Sequence, residues 1–175
     1  QVEPAAAGRS LFTMAAERGI DPTTLATQLV PGGAIYFAMS DEDVDRILAH
    51  PLVMIGSDGL PHDPVPHPRL WGTFPRVLGH YVRQRRLLAL ESAIHKMTGL
   101  TARRFGLAGR GEVRVGAAAD LTLFDAAQVL DGATFDAPIA APTGIRWVLV
   151  NGRVAVADGQ QADDRAGQVL RRVRA

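Results

Sequence analysis

The sequence has 175 residues, of which 47% are hydrophobic and 21% charged, and it contains no cysteine. This composition excludes an intrinsically disordered chain, disulfide bonds and thiolate metal ligands, and the length excludes a complete eight-fold β/α barrel, which needs at least about 200 residues. The formal net charge of +1, from 19 basic and 18 acidic residues, gives no reason to expect a nucleic acid or an anionic membrane as partner.

Capping residues and helical spacing predict three helices in the first fifty residues, at 11–18 after Ser10, after Asp21-Pro22, and at 42–49 after Ser40. The apolar runs 34–39 and 52–55 have the length and composition of strands. Strand, helix and strand in this order predict a βαβ unit with a right-handed crossover. Both strands would then end at the same rim of an α/β fold.

Asp58 follows the second of these predicted strands, in the small-residue turn 56–59. The carboxyl ends of strands are where α/β folds place their chemistry, so Asp58 is a candidate site residue. An aspartate before a glycine is also common in turns, and the local pattern leaves both interpretations open. The proline-rich loop that follows carries His62, His67 and Arg69.

The chain changes from helical to β-like near residue 108. Helices are predicted at 74–88 and 90–97, a short capped turn at 101–105, and strands at 113–115, 121–124 and 145–150. Asn151-Gly152 is a strong hairpin signal and predicts a further strand at 153–157. We therefore divide the chain into residues 1–108 and 109–175.

Three groups of residues carry a family resemblance. The first joins Ile-Gly-Ser-Asp-Gly at 55–59 to His-Pro-Arg-Leu-Trp-Gly-Thr-Phe-Pro at 67–75, and the second runs from Met-Thr at 97–98 to Arg-Phe-Gly-Leu at 104–107. The third consists of 111–121 and 148–152, and is shared among amidohydrolases in general. Together they resemble the carboxyl-terminal part of the N-acyl-D-amino-acid deacylases (D-aminoacylases) of the amidohydrolase superfamily. The resemblance covers essentially the whole chain and roughly the last third of a family member.

The resemblance implies an α/β fold, in which residues 1–108 are the C-terminal strands and helices of a metal-dependent (β/α)8 TIM barrel. Residues 109–175 are then the C-terminal strands of a small β-sandwich domain. The implied activity is hydrolysis of the amide bond of N-acyl-D-amino acids by a water that Zn2+ activates. Asp58 matches the family's general base toward that water and general acid toward the leaving amine. Arg69 matches the arginine that binds the substrate α-carboxylate, for which a planar guanidinium is suited.

The metal ligands of the family are not expected in this chain. It contains no His-x-His pair and no cysteine, both of which the resemblance requires for the zinc site. His67 is expected to order its loop, and His62 and His67 are not expected to form a zinc pair, because no rigid element fixes their spacing. The isolated chain is therefore expected to be inactive.

Two other functions stay open at this point. One is another amidohydrolase that acts on cyclic amides, such as a hydantoinase or dihydroorotase, and the other is a non-catalytic assembly module. In each case we expect either the remaining N-terminal part of the barrel or a second copy to cover exposed strand edges. The absence of cysteine fits a reducing compartment, no apolar run is long enough for a membrane span, and we expect a cytoplasmic protein.

Overall fold

A computed structural model describes residues 3–61, 65–162 and 165–171. The chain divides into two compact units, Gln1–Ala38 and Met39–Ala175. The first unit contains a short 3-10 turn at Pro4–Ala6 and the helices α1 (Leu11–Arg18) and α2 (Pro22–Gln28). Its core is formed by three almost fully buried side chains, Met14, Ala15 and Leu25.

Local capping explains where the first two helices begin and end. The Asp21 carboxylate accepts hydrogen bonds from the backbone N–H groups of Thr23 (2.8 Å) and Thr24 (3.2 Å), which the start of α2 otherwise leaves unpaired. Gly19 ends α1 with a φ of 65°, in the left-handed region that glycine adopts without strain. Both predicted helices are confirmed, although the Ser10 side chain makes no capping hydrogen bond.

The second unit begins with helices and ends with a sheet. Its helices are α3 (Asp41–Ala49), α4 (Arg69–Arg76), a π-helical segment (Val77–Gln84), α5 (Leu90–Met97) and α6 (Gly99–Phe105). Its strands are β1 (Leu121–Phe124), β2 (Ile145–Val150), β3 (Arg153–Ala157) and β4 (Gln160–Gln161). The helix predicted after Ser40 is confirmed, and the Ser40 hydroxyl accepts a hydrogen bond from the Asp43 N–H at 3.1 Å.

The helix predicted at 74–88 differs from the one observed. It begins earlier, at Arg69, and continues beyond Arg76 as the π-helical segment. Pro75 lies inside it and has no N–H to donate to the preceding turn, a position at which α-helical geometry is commonly disturbed. Gly79 then lies so close to the backbone carbonyl of Val129 that a Cβ would sit 2.5 Å from its oxygen. The sequence pattern did not show this close approach, because it depends on a distant loop.

The four strands form one antiparallel sheet in the order β1-β2-β3-β4. Val150 pairs with Arg153 across a two-residue turn, in which Asn151 and Gly152 have φ values of 50° and 78°. These positive angles are those of the type I′ turn that favours the Asn-Gly pair, so the predicted hairpin is confirmed. Asp120 supports the turn by accepting a hydrogen bond from the Asn151 N–H at 2.8 Å.

Three predicted strands are absent from the described part of the chain. Residues 34–39, 52–55 and 113–115 have no strand ladder, so the predicted βαβ unit is wrong for the described structure. A strand needs a neighbouring strand that accepts and donates its backbone hydrogen bonds, and no described strand pairs with these three stretches. Tyr36 is 84% exposed and Val115 fully exposed, as expected for apolar residues without a packing partner.

One hydrophobic core joins the helical and stranded parts of the second unit. Its buried members are Val77, Leu78, Leu88, Ala93 and Val129, and the partly buried Ile55, Phe124 and Ile145 pack against them. Residues on both sides of the predicted boundary between 108 and 109 therefore share this core, and the division into two domains stays a prediction. None of the helices in the described ranges has both the length and the apolar character that crossing a membrane requires.

Candidate active site

The turn that carries Asp58 packs against the first residues of α4. A Cβ at Gly59 would lie 2.8 Å from the Cα of Leu70, so the backbone approaches α4 closely only because residue 59 is glycine. Ser57 accepts a hydrogen bond from the Gly59 N–H at 3.3 Å, which tightens the turn. Asp58 has a φ of 48° and its side chain is 80% exposed. The carboxylate is thus presented on the surface, beside the beginning of α4.

Arg69 is the first residue of α4 and contacts Asp58 directly. Its Nη2 lies 2.9 Å from the Asp58 Oδ2, so the structure brings together the two residues that the sequence analysis singled out. The Arg69 Nε is buried and, among the described residues, has no hydrogen-bond acceptor. A buried donor without an acceptor is unusual in a folded protein, because its lost hydrogen bonds to water are not replaced.

His67 orders the backbone that leads into Arg69. Its Nδ1 accepts a hydrogen bond from the Arg69 N–H at 3.1 Å, and its ring meets Phe135 edge-on at 5.2 Å between centroids. Burial lowers the pKa of His67, the Arg69 charge lowers it further, and Asp58 opposes both. This geometry supports the interpretation of His67 as a loop-ordering residue.

The described residues do not fit a metal site. No group of three or more His, Cys, Asp or Glu side chains that could hold a metal ion exists within 3–61, 65–162 and 165–171. Zinc in proteins usually takes at least three such ligands, and Asp58 and His67 alone do not supply them. His62, the other histidine of this loop, lies outside the described residues.

Sequence reasoning missed one buried charge close to this region. Lys96 on α5 is 4% exposed, and its Nζ donates hydrogen bonds to the backbone carbonyls of His50 and Val53. Two features of the sequence could have indicated that this lysine is buried. Lys96 is the only lysine in the sequence, and it lies one helical turn after the apolar Ala93. The helical periodicity predicts an exposed polar residue at position 96 of α5, whereas the structure shows a buried one.

The site offers two chemical capacities. An exposed carboxylate such as that of Asp58 can accept a proton and return it, and a guanidinium such as that of Arg69 can bind a carboxylate ligand. The Asp58–Arg69 contact shows that an anionic oxygen already fits beside this guanidinium. The arrangement suits an acid–base reaction on a small anionic substrate.

Comparison with protein families gives a match to the model of the amidohydrolase family over residues 5–156. The chain is 55% identical over 172 residues to a D-aminoacylase of Alcaligenes xylosoxydans xylosoxydans, which covers 98% of this chain and 36% of that protein. It is also 55% identical over 168 residues to an N-acyl-D-aspartate deacylase of the same organism, which covers 95% of this chain and 34% of the relative. The chain thus spans about a third of the length of the curated relatives it matches.

Solved structures agree with these sequence matches. One is a D-aminoacylase solved to define the role of its binuclear metal centre, with a TM-score of 0.92 at 54% identity. Another is an N-acyl-D-glutamate deacylase from Bordetella bronchiseptica in complex with zinc and a phosphonate mimic of the tetrahedral intermediate, with a TM-score of 0.90 at 52% identity. Each match covers 98% of this chain and 36% of the solved chain. The folded part of this chain is therefore closely similar to one portion of those structures.

Proposed function

The chain belongs to the amidohydrolase family, and on that premise we propose that it is part of an enzyme that hydrolyses the amide bond of N-acyl-D-amino acids. The observation that supports this most strongly is the contact between Asp58 and Arg69, in a chain 55% identical to deacylases of this substrate class. The resemblance to the deacylases predicted from the sequence is confirmed by these comparisons. A preference for cyclic amides finds no support among the relatives found.

Asp58 is the proposed acid–base residue. Its carboxylate takes a proton from the water whose oxygen attacks the substrate carbonyl, and a tetrahedral intermediate forms. The same proton then passes to the amide nitrogen as the C–N bond breaks, which releases a carboxylic acid and an amine, and the acid then loses its proton to the solvent. The 80% exposure of the side chain supports this role, because substrate and water can reach the carboxylate.

Arg69 is the proposed binding group for the substrate α-carboxylate. Its Nη2 already holds one carboxylate oxygen at 2.9 Å, and its Nε has no acceptor among the described residues. A substrate carboxylate that displaces the Asp58 side chain from Arg69 would free Asp58 for proton transfer. One guanidinium thus fits both the resting ion pair and the bound substrate.

The intact enzyme is proposed to use Zn2+, since a relative of known structure binds zinc. The described residues of this chain do not form a metal site, so we place the zinc ligands elsewhere in the intact enzyme. We also propose that residues 1–108 contribute the last strands and helices of its β/α barrel, and residues 109–175 part of its β-sandwich. The cytoplasmic location predicted from the sequence stays a prediction.

The exposed apolar residues of each unit support a proposal about partners. Large apolar side chains are more than two-thirds exposed in both units: Phe12, Tyr36, Phe37, Leu52 and Val115. We propose that the remaining part of the barrel, or a second copy, covers them, because patches of this kind promote association. Light scattering of the 175-residue chain should show association, and a stable monomer would contradict this.

The test is a substrate panel on the intact enzyme that contains this chain. We expect hydrolysis of N-acetyl-D-amino acids with negligible turnover of the L-enantiomers, hydantoins and dihydroorotate. The 175-residue chain with added zinc is the matched second sample, and we expect it to be inactive because its described residues form no site for the metal that lowers the pKa of the attacking water. Preferential turnover of a cyclic amide by the intact enzyme would contradict the proposed function.

A further inference from the structure

Lys96 is a buried cation, whereas every arginine that the structure describes is at least partly exposed. It is the only lysine in the sequence, and every other basic side chain is an arginine. It is 4% exposed and is the only charged residue that is buried in the described part of the chain. Burial lowers the pKa of Lys96, which reflects the free-energy cost of keeping an ammonium group away from water.

The side-chain ammonium group and the backbone carbonyl of Lys96 both form hydrogen bonds with residues 50–55. The Nζ donates hydrogen bonds to the carbonyl oxygens of His50 and of Val53, the latter at 3.0 Å. The Lys96 carbonyl in turn accepts a hydrogen bond from the Ile55 N–H at 3.5 Å. Among the described residues, every polar contact from 50–55 to a distant element goes to Lys96. Thr101 donates to the same Lys96 carbonyl at 2.9 Å and ties the arrangement to α6.

The stretch held by Lys96 leads directly into the turn with Asp58. Residues 52–55 have no strand ladder in the described structure, so neighbouring strands do not fix where they lie. Ile55 packs against the hydrophobic core, but packing alone leaves a chain free to slide along its own direction. Hydrogen bonds to the carbonyls of His50 and Val53 and from the N–H of Ile55 remove that freedom.

We propose that Lys96 is a positioning residue, which holds residues 50–55 through its ammonium group and its carbonyl and thereby places Asp58 opposite Arg69. A methionine would fill similar volume without the desolvation cost of a charge, so stability alone does not favour a lysine here. An ammonium group offers three donors on a flexible stem, which suits a group that donates to two backbone carbonyls.

The inference rests on the proposed function. It predicts different effects of a Lys96 substitution on kcat and on KM. Arg69 is held by α4, and no described hydrogen bond joins Lys96 to that helix. Loss of the Lys96 side chain should therefore displace the proton-transfer group and leave the carboxylate-binding group in place. We expect kcat to change and KM to stay nearly constant.

The test compares Lys96→Met with Arg46→Met in the intact enzyme. Arg46 lies on α3 with its side chain 78% exposed, and its replacement removes one cation from the surface without touching residues 50–55. We expect Lys96→Met to lower kcat by about 10- to 100-fold, since a displacement of about 1 Å at a reacting group costs up to about 100-fold. Arg46→Met should retain wild-type kcat, and Lys96→Arg, which keeps a charged donor, should recover part of the loss.

Hydrogen exchange gives a second reading that does not depend on activity. Amides of residues 50–60 should exchange faster in Lys96→Met than in the wild-type enzyme, while those of β1 and β2 should be unchanged. If Lys96→Met does not fold, Lys96→Gln, which keeps a neutral donor, is judged by the same two criteria. Wild-type kcat in the Lys96 variant, or unchanged exchange at 50–60, would overturn the inference. An intact enzyme that does not cleave N-acyl-D-amino acids would instead contradict the proposed function, and the exchange measurement would still decide the role of Lys96.

Discussion

Two regions of the second unit contain predicted β-structure, and they behave differently. The hairpin from β2 to β3 forms as predicted, with Val150 paired to Arg153. Residues 52–55, which were predicted as a buried strand, have no ladder in the described structure. Both stretches are rich in Val, Ile and Leu, so composition does not explain the difference.

The difference lies in where each stretch finds its partner. A hairpin carries its own neighbour two residues away, and the Asn151-Gly152 turn sets its register. A strand of a parallel sheet depends on neighbours that are far away in sequence. Asp58 and Arg69, the proposed acid–base and substrate-binding residues, follow residues 52–55 in the chain. Neither of them lies in the four-stranded sheet. We therefore expect substitutions near Asp58 and Arg69 to change mainly the activity. Substitutions in the hairpin should change mainly the free energy of unfolding.

This contrast predicts a strong effect on substrate binding at Arg69. In the intact enzyme, Arg69→Lys should raise KM for an N-acyl-D-amino acid by roughly 10- to 100-fold, because hydrogen bonds to charged groups contribute about 1.5–3 kcal/mol and a lysine lacks the bidentate fork. Steady-state kinetics measures this directly. The matched control is Arg76→Lys on the same helix, where Arg76 pairs with Asp131 at 3.3 Å. Equal effects of the two substitutions would show that Arg69 acts through helix stability and not through the substrate.

A glycine-to-alanine substitution should have different effects on the free energy of unfolding at Gly152, in the hairpin, and at Gly56, before Asp58. Gly152 has a φ of 78°, so Gly152→Ala should lower the free energy of unfolding of the chain by about 1–2 kcal/mol, the cost of a left-handed non-glycine residue. Gly56, in the turn before Asp58, has no atom within 4 Å of a built Cβ and no positive φ. Gly56→Ala should change the free energy of unfolding by less than about 0.5 kcal/mol. Denaturant unfolding of both variants checks this, and a larger loss at Gly56 would reverse the comparison.

The smallest expected effect is a pH dependence that belongs to His67. Its pKa is lowered by burial from 6.5, so as the pH falls below 6.5 the unfolded chain binds this proton before the folded chain does. The free energy of unfolding should therefore decrease as the pH falls below 6.5, and level off below the folded-state pKa. In His67→Gln this part of the decrease should disappear, whereas His80→Gln on the π-helical segment should keep it. Denaturant unfolding between pH 7 and 5 measures the difference, and identical slopes in the two variants would exclude His67 as its source.

Much of the fold was predictable wherever the determining residues are close in sequence. Asp21 and Ser40 cap their helices, Gly19 and Gly106 end theirs, and Asn151-Gly152 forms its turn, because each of these signals acts over a few residues. The site was partly predictable for a different reason. Asp58 and Arg69 are eleven positions apart, and the motif around them marked both before their contact was known.

The remainder depends on distant contacts that a single sequence does not display. The π-helical segment accommodates the close approach of Gly79 to Val129, fifty positions further along. Lys96 is polar in type but interior in position, because its acceptors are the carbonyls of His50 and Val53. The strands predicted at 34–39, 52–55 and 113–115 are not formed in the described structure, because a strand requires a neighbouring strand as well as an apolar composition.

The most direct test of the proposed acid–base role of Asp58 compares two aspartates in the intact enzyme. Asp58 and Asp158 are both exposed and both have positive φ values, of 48° and 46°, but only Asp58 lies beside Arg69. Asp58→Asn should lower kcat for an N-acyl-D-amino acid by about 100- to 10,000-fold, the range typical of a lost general acid–base group, while Asp158→Asn should leave it unchanged. If Asp58→Asn loses no more activity than Asp158→Asn, Asp58 is an ordinary turn aspartate and the proposed mechanism is wrong.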